Sequence, residues 1–302
     1  MQTIINIKNG VTRMPAWRMV EPVNFCLNDG EQLAIVGPNG GGKTMLVDII
    51  TGRHPLLPDM AEYDFAPSQK PLVSDNIRYI AFRDTYGGDN DRTYFLQQRW
   101  NQMEIDASTP TAGQLLEEAY RLAGQDTPER RMWQQRLYEM FSMEHLLDKY
   151  IILLSSGELR KFKLASSLFS QPRVLILDNP FIGLDAGTRA QLRELLQMLI
   201  SEQALQIVLV LSKSDDIPSF ITHVVEVNQL KVGAKLTLAD YLRQRPPLPD
   251  HVLSDEKRQA YRCPKRERDE YTYPRQAYSS QKDGIRAVAS TIRQKFPGVA
   301  LK

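Results

Sequence analysis

The sequence has little cysteine, little histidine and no long apolar run. Its two cysteines in 302 residues, Cys26 and Cys263, are far apart and lack metal-ligand spacing. That excludes a disulfide framework and fits a reducing compartment. The four histidines form no HxxxH pattern, and a lone one such as His223 reads as structural rather than as a ligand. No stretch approaches the roughly 18 consecutive apolar residues that a membrane-spanning helix needs. The opening MQTIINIKNG lacks the apolar segment of a secretory signal, so a cytoplasmic protein is expected.

Charge of one sign is also scarce overall, with a net of +2, but it is unevenly spread. From Lys235 to Lys302, 15 Lys and Arg stand against 8 Asp and Glu, a net of +7, which leaves −5 for the rest. A basic tail on an acidic body suits a polyanion such as nucleic acid or an anionic membrane, or is simply a solvated extension. RQRPPLPD, with three prolines in eight residues, reads as a linker, and the polar stretch beyond it reads as poorly ordered, with a short helix near Ile285–Phe296. No internal repeat is present.

Three short apolar runs, Leu33–Val36, Val174–Leu177 and Ile207–Leu211, read as buried parallel strands. Leu192, Leu195, Leu196 and Leu199 share one face of a helix over Arg189–Ile200. Strands alternating with such helices predict an α/β fold. Residues from about 96 to 160 differ, with helical periodicity and no strand-like run. Thr109–Pro110 reads as an N-cap and first helical position, followed by Leu115, Leu116, Ala119, Leu122 and Ala123, and Pro128 starts a second helix through Trp133, Leu137, Met140 and Phe141. This stretch is expected to be a helical subdomain inserted into the α/β core.

Residues 37–44 read GPNGGGKT: Gly37, Pro38, Asn39, Gly40, Gly41, Gly42, Lys43 and Thr44. They satisfy G-x-x-x-x-G-K-[ST] between a strand and a helix over Met45–Ile50, the setting a P-loop requires. Glycines let backbone N–H groups curl around phosphate oxygens, and the helix N-terminus adds its dipole. Lys43 is expected on the β- and γ-phosphates of ATP, and Thr44 on Mg²⁺. VLILD at 174–178 places Asp178 at the C-terminal end of a buried strand, where it serves the same Mg²⁺.

LLSSGELRK at 153–161 resembles the signature motif of ABC ATPases, and FIGLD at 181–185 resembles their D-loop. The resemblance covers about residues 1–235. Through LSSGELRK, LILDNPFIGLD and LVLSKSDDIPSF it is closest to the N-terminal cassette of soluble twin-cassette proteins associated with molybdate transport. It implies a P-loop NTPase core with a mostly parallel sheet, the inserted helical subdomain and a small antiparallel N-terminal β-subdomain, with 236–302 as the tail. It implies that two cassettes face head to tail. Ser155, Ser156 and Gly157 would then touch the nucleotide of a partner cassette. Because relatives continue into a second cassette, a separate polypeptide is expected as the partner, unless the chain homodimerises. A membrane permease is the further partner, with the chain at the inner face of the membrane. Tyr86, Tyr94, Phe95 and Trp100 are candidates for docking it or for core packing. A nucleic-acid or ribosome clamp is the competing expectation, resting on the basic tail and its Tyr261, Tyr271, Tyr273 and Tyr278.

The sequence departs from the family in its hydrolysis residues. Asn179 stands where the family carries a glutamate general base, and losing a positioned base costs about 10²–10⁴-fold in rate, roughly 3–5 kcal/mol. Ser212 stands at the switch-histidine position, with Lys213 as the alternative. No glutamine follows IRYIAF at the expected place, and Gln97 and Gln98 lie too far on to assign. The adenine-stacking position falls on Trp17, Arg13 or Met14. ATP binding with slow hydrolysis is expected, or regulation without turnover.

Overall fold

In a computed structural model, residues 2–82, 109–202, 205–212 and 217–244 are described. The chain divides into units Met1–Arg245 and Pro246–Lys302, and the second lies outside the described residues. So do Tyr86, Tyr94, Phe95, Gln97, Gln98, Trp100, Lys213 and the tail tyrosines.

Two sheets organise the first unit. The smaller is antiparallel, in the order β2 (Val23–Asn28), β1 (Thr3–Gly10), β4 (Ala61–Tyr63). The larger has six strands: β5 (Ile77–Ala81), β6 (Val174–Asp178), β7 (Gln206–Leu211), β3 (Leu33–Val36), β8 (His223–Asn228) and β9 (Lys231–Thr237). Its first five strands are parallel and β9 closes the edge antiparallel to β8. The fold is therefore α/β with a mostly parallel sheet and a small antiparallel one. The boundary expected at 235 falls inside β9, whose ladder to β8 runs on to Thr237 before α7 (Leu238–Gln244).

Alternation along each strand sends side chains to two buried faces. Leu33, Ile35, Val174, Ile176, Val208 and Val210 meet α1 (Lys43–Ile50) and the small sheet, and a short α2 (Val73–Asn76) leads into β5. Ala34, Val36, Leu175, Leu177, Leu209 and Leu211 meet α3 (Ala112–Leu122), α4 (Pro128–Phe141), α5 (Ser156–Leu168) and α6 (Ala186–Glu202). The centres of β3, β6 and β7 are apolar because neither face meets water. In α6 the four leucines read from the sequence are the buried ones.

The described part of the helical segment holds one correction. The N-cap of α3 is Thr111, not Thr109: its side chain accepts from Gln114 N while Gln114 reaches back to Thr111 N. A capping box satisfies two end N–H groups at once, which outweighs the pull of Pro110 toward the first helical position. Pro110 instead offers its carbonyl to Ile151 N. Leu122, at the end of α3, keeps the helical spacing and is 81% exposed. Pro128 starts α4 as expected, behind the N-cap Thr127.

Arg131 ties α3 to α4. It bonds Glu117 and Asp126 at 2.8 Å each and lies 4.1 Å from the centre of the buried Tyr120 ring, whose hydroxyl donates to Asp126. The bond from Arg131, then that from Tyr120, lowers the Asp126 pKa to about 2. A depressed carboxylate stabilises the fold above its ordinary value and ceases to do so as pH falls through the depressed one. The thermal midpoint is therefore expected to fall between about pH 4 and 2 more steeply in the wild type than in Arg131→Met, measured by circular dichroism. Leu209→Ala, at a fully buried position in the central strand β7, is expected to cost about 2–5 kcal/mol in chemical denaturation.

Candidate nucleotide site

β3 ends at Val36, and the chain turns through Gly37–Gly42 into α1. A Cβ on Gly37 would lie 1.9 Å from the Val227 carbonyl oxygen, so no side chain fits there. Gly42, the N-cap of α1, has φ 106°, and a Cβ on it would press to 2.9 Å on Leu230. The loop is braced from outside by the β8–β9 turn, where Leu230 N donates to Gly41 O. That turn places Gln229 and Leu230 at φ 48° and 58°, the two-residue hairpin geometry that glycine or asparagine usually fills. Sequence reading had no signal for this brace.

Lys43 is buried, and its Nζ donates to the carbonyls of Gly37 and Pro38 at 2.8 and 2.9 Å. Burial lowers its pKa, while the charge of Asp178 acts to raise it. The two groups thus face each other electrostatically across the sheet edge.

Strand order brings the other residues together. β7 lies between β3 and β6, so Ser212, just beyond β7, sits between the loop and Asp178. Its hydroxyl lies 2.8 Å from Asn39 Oδ1 and 3.0 Å from Asn179 Oδ1. The Ser212 backbone N–H also donates to Asn179 Oδ1, at 3.2 Å. Asn179 Nδ2 donates to Asp178 Oδ1 at 2.8 Å, and Tyr79 donates its hydroxyl to Asp178 Oδ2 at 2.8 Å. One hydrogen-bonded chain, Asn39–Ser212–Asn179–Asp178–Tyr79, thus crosses the C-terminal ends of four neighbouring strands. Asn179 holds its place with φ 51°, a left-handed conformation that asparagine tolerates better than most residues. Tyr79 is the member that sequence reading missed: only the β5–β6 register brings it near Asp178.

The residues present suit a magnesium nucleotide. No described residue accepts from the backbone N–H of Lys43 or Thr44, which leaves these groups for an anion at the helix N-terminus. Thr44 and Asp178 are hard oxygen donors of the kind Mg²⁺ takes alongside phosphate oxygens and water. Among the described residues no cluster of three or more His, Cys, Asp or Glu forms an all-protein cage.

The signature segment begins α5. Ser155 caps it reciprocally with Glu158, whose pKa is lowered because Lys149 and Ser155 together outweigh the opposing effect of burial. Ser155 and Ser156 are exposed, and a Cβ on Gly157 would lie 2.9 Å from Thr188 at the start of α6. Capping alone accounts for Ser155 locally, and leaves Ser156 and Gly157 as small residues at a helix N-terminus. Trp17 is half-buried and stacks on His54, with ring centres 4.3 Å apart, so one of its faces is already used. Met14 is exposed, and Arg13 bonds the Leu56 carbonyl. Phe82 follows β5 and lies under the Arg160 guanidinium. His223, in β8, meets Thr222 and Glu31, a structural role.

Comparison with known proteins bears on this arrangement. The family profile described as "ABC transporter" matches residues 20–182. ModF, an ABC transporter ATP-binding protein of Escherichia coli K12, is 32% identical over 217 residues, 72% of this chain and 41% of its own length. A sulfate/thiosulfate import ATP-binding protein, CysA of Bradyrhizobium diazoefficiens, is 29% identical over 66% of this chain and 53% of its own. The chain spans about half the length of these curated relatives. Among solved structures, cbiO1 from Clostridium perfringens superposes with a TM-score of 0.63 at 20% identity, covering 81% of this chain and 92% of that one. An ATP-binding cassette of an ABC transporter in its ADP conformation gives 0.60 at 15%, covering 80% and 94%. These two likenesses concern the fold alone. The profile match covers more than half of the chain, and it bears out the resemblance drawn from the signature and D-loop motifs: the chain belongs to the ABC transporter family of ATP-binding cassettes.

Proposed function

We propose that this chain binds ATP with Mg²⁺ at Gly37–Thr44 and Asp178, hydrolyses it slowly, and couples that cycle to a transporter. The observation that carries the slow step is the state of Asn179. Its amide is engaged at both ends, with Nδ2 on Asp178 and Oδ1 on Ser212. An amide accepts no proton from water, and the oxygen of this one already accepts from Ser212. Ser212 likewise offers a neutral hydroxyl where a switch histidine would offer an imidazole.

In this reading the glycine-rich loop wraps the phosphates through its N–H groups. Lys43 exchanges its bonds to Gly37 and Pro38 for phosphate oxygens, a charge-assisted substitution. Thr44 and Asp178 would hold Mg²⁺, which would supply positive charge against the phosphate oxygens. Ser155, Ser156 and Gly157 present small residues and a helix N-terminus to the nucleotide of a facing cassette. A heterodimer would pair this site with a second cassette whose catalytic residues are whole, and a homodimer would pair two slow sites. Relatives named for import support a permease partner at the inner face of the membrane. The net charge of +7 from 235 to 302 favours a nucleic-acid clamp as the second reading.

Lys43→Ala is expected to abolish ATP binding in equilibrium titration. Asn179→Glu is expected to raise turnover at least tenfold, toward the 10²–10⁴ that a general base supplies. Fast hydrolysis by the wild-type chain alone would sink the slow-site reading. Affinity purification of the full chain from membranes is expected to bring down a permease. Salt-dependent RNA binding that disappears on deleting 250–302, with no permease recovered, would instead establish the clamp.

A further inference from the structure

Tyr79 lies outside the phosphate loop, the signature and the D-loop. It lies on β5 two residues before Ala81, and Ala81 is the register partner of Asp178 on β6. Residues two apart on a strand share a face, so Tyr79 and Asp178 project to the same side of the sheet, the one that carries α1. From there the phenol donates to Asp178 Oδ2, while Asn179 Nδ2 donates to Oδ1. The carboxylate is gripped at both oxygens, once from the neighbouring strand and once from its own. Both donors are neutral, so they orient the group without cancelling its charge. Each carboxylate oxygen has about two acceptor sites, which leaves capacity on both for a metal-bound water. The Tyr79 ring is held in turn, packed against the core of that face and 5.3 Å from the Arg53 guanidinium.

We infer that Tyr79 is a positioning residue for Asp178, fixing the orientation in which that carboxylate holds Mg²⁺ beside the nucleotide. The inference rests on the nucleotide reading proposed above. An ordinary packing tyrosine needs no bond to this carboxylate; a polar partner anchored on an adjacent strand is the arrangement that orients a metal-holding group. Partners of this kind typically carry 10–100-fold of metal affinity.

The test is Tyr79→Phe in the full chain, which deletes one hydroxyl and keeps the ring over Arg53. A fluorescent ATP analogue is titrated first in EDTA, then at fixed analogue against rising Mg²⁺, with thermal melting of the ligand-free protein alongside. The expected result is unchanged binding in EDTA, a melting midpoint close to wild type, and a half-saturating Mg²⁺ concentration raised about tenfold or more. Asp178→Asn is expected to raise it similarly, and the double variant no further, because the two act through one carboxylate. An unchanged Mg²⁺ requirement in Tyr79→Phe, beside a wild type that needs Mg²⁺, would overturn the inference and leave the nucleotide site standing. Equal weakening with and without Mg²⁺ would also overturn it, by showing a structural role only. A wild-type chain that does not bind the analogue would bring down the nucleotide reading itself, and the inference with it.

Discussion

The large sheet is covered on both faces, and that constraint governs where polar chemistry can sit. Its strands β3, β6 and β7 are buried on either side, because α1 and the small sheet lie against one face and the helices α3 to α6 against the other. A polar side chain within such a sheet would lose water without gaining a partner. The strand ends escape this condition. There the chain leaves the ladder, backbone N–H groups become free, and Lys43, Asp178, Asn179 and Ser212 gather along one edge.

Each of these polar groups has a hydrogen-bond partner within the protein. Lys43 lies over the carbonyls of its own loop, and Asp178 is bonded at both oxygens by an amide and a phenol. Asn179 and Ser212 complete the line to Asn39. The line has no histidine or glutamate in it. Anion-binding features are intact in the same place, since glycine is required by contact at Gly37 and by conformation at Gly42. In the function proposed above, binding and bond cleavage are carried by different residues of this one edge.

The helical segment follows a different logic. Its described helices are held by local devices: the capping box at Thr111, the cap and proline at Thr127–Pro128, and Arg131 bridging two acids over Tyr120. These contacts are short in sequence, whereas the sheet joins β3 to β7 and β8 across more than a hundred residues. Local periodicity therefore located its helices well but misplaced the first cap by two residues, where a reciprocal pair of side-chain bonds outranked a proline signal.

The sequence by itself determined the kinds of element, the phosphate loop and the family. Each of those is a local pattern of spacing, since a glycine run before Lys-Thr, a four-residue apolar strand or a signature tetrad is complete within a few positions. Asn179 and Ser212 were also legible as departures, because they stand beside recognisable neighbours. Tertiary structure alone decided that β7 separates β3 from β6, that Ser212 therefore bridges Asn39 and Asn179, and that Tyr79 reaches Asp178. Strand order and register are settled by which buried faces pack together over the whole sheet, and a single strand, apolar on both sides, carries no mark of its neighbour.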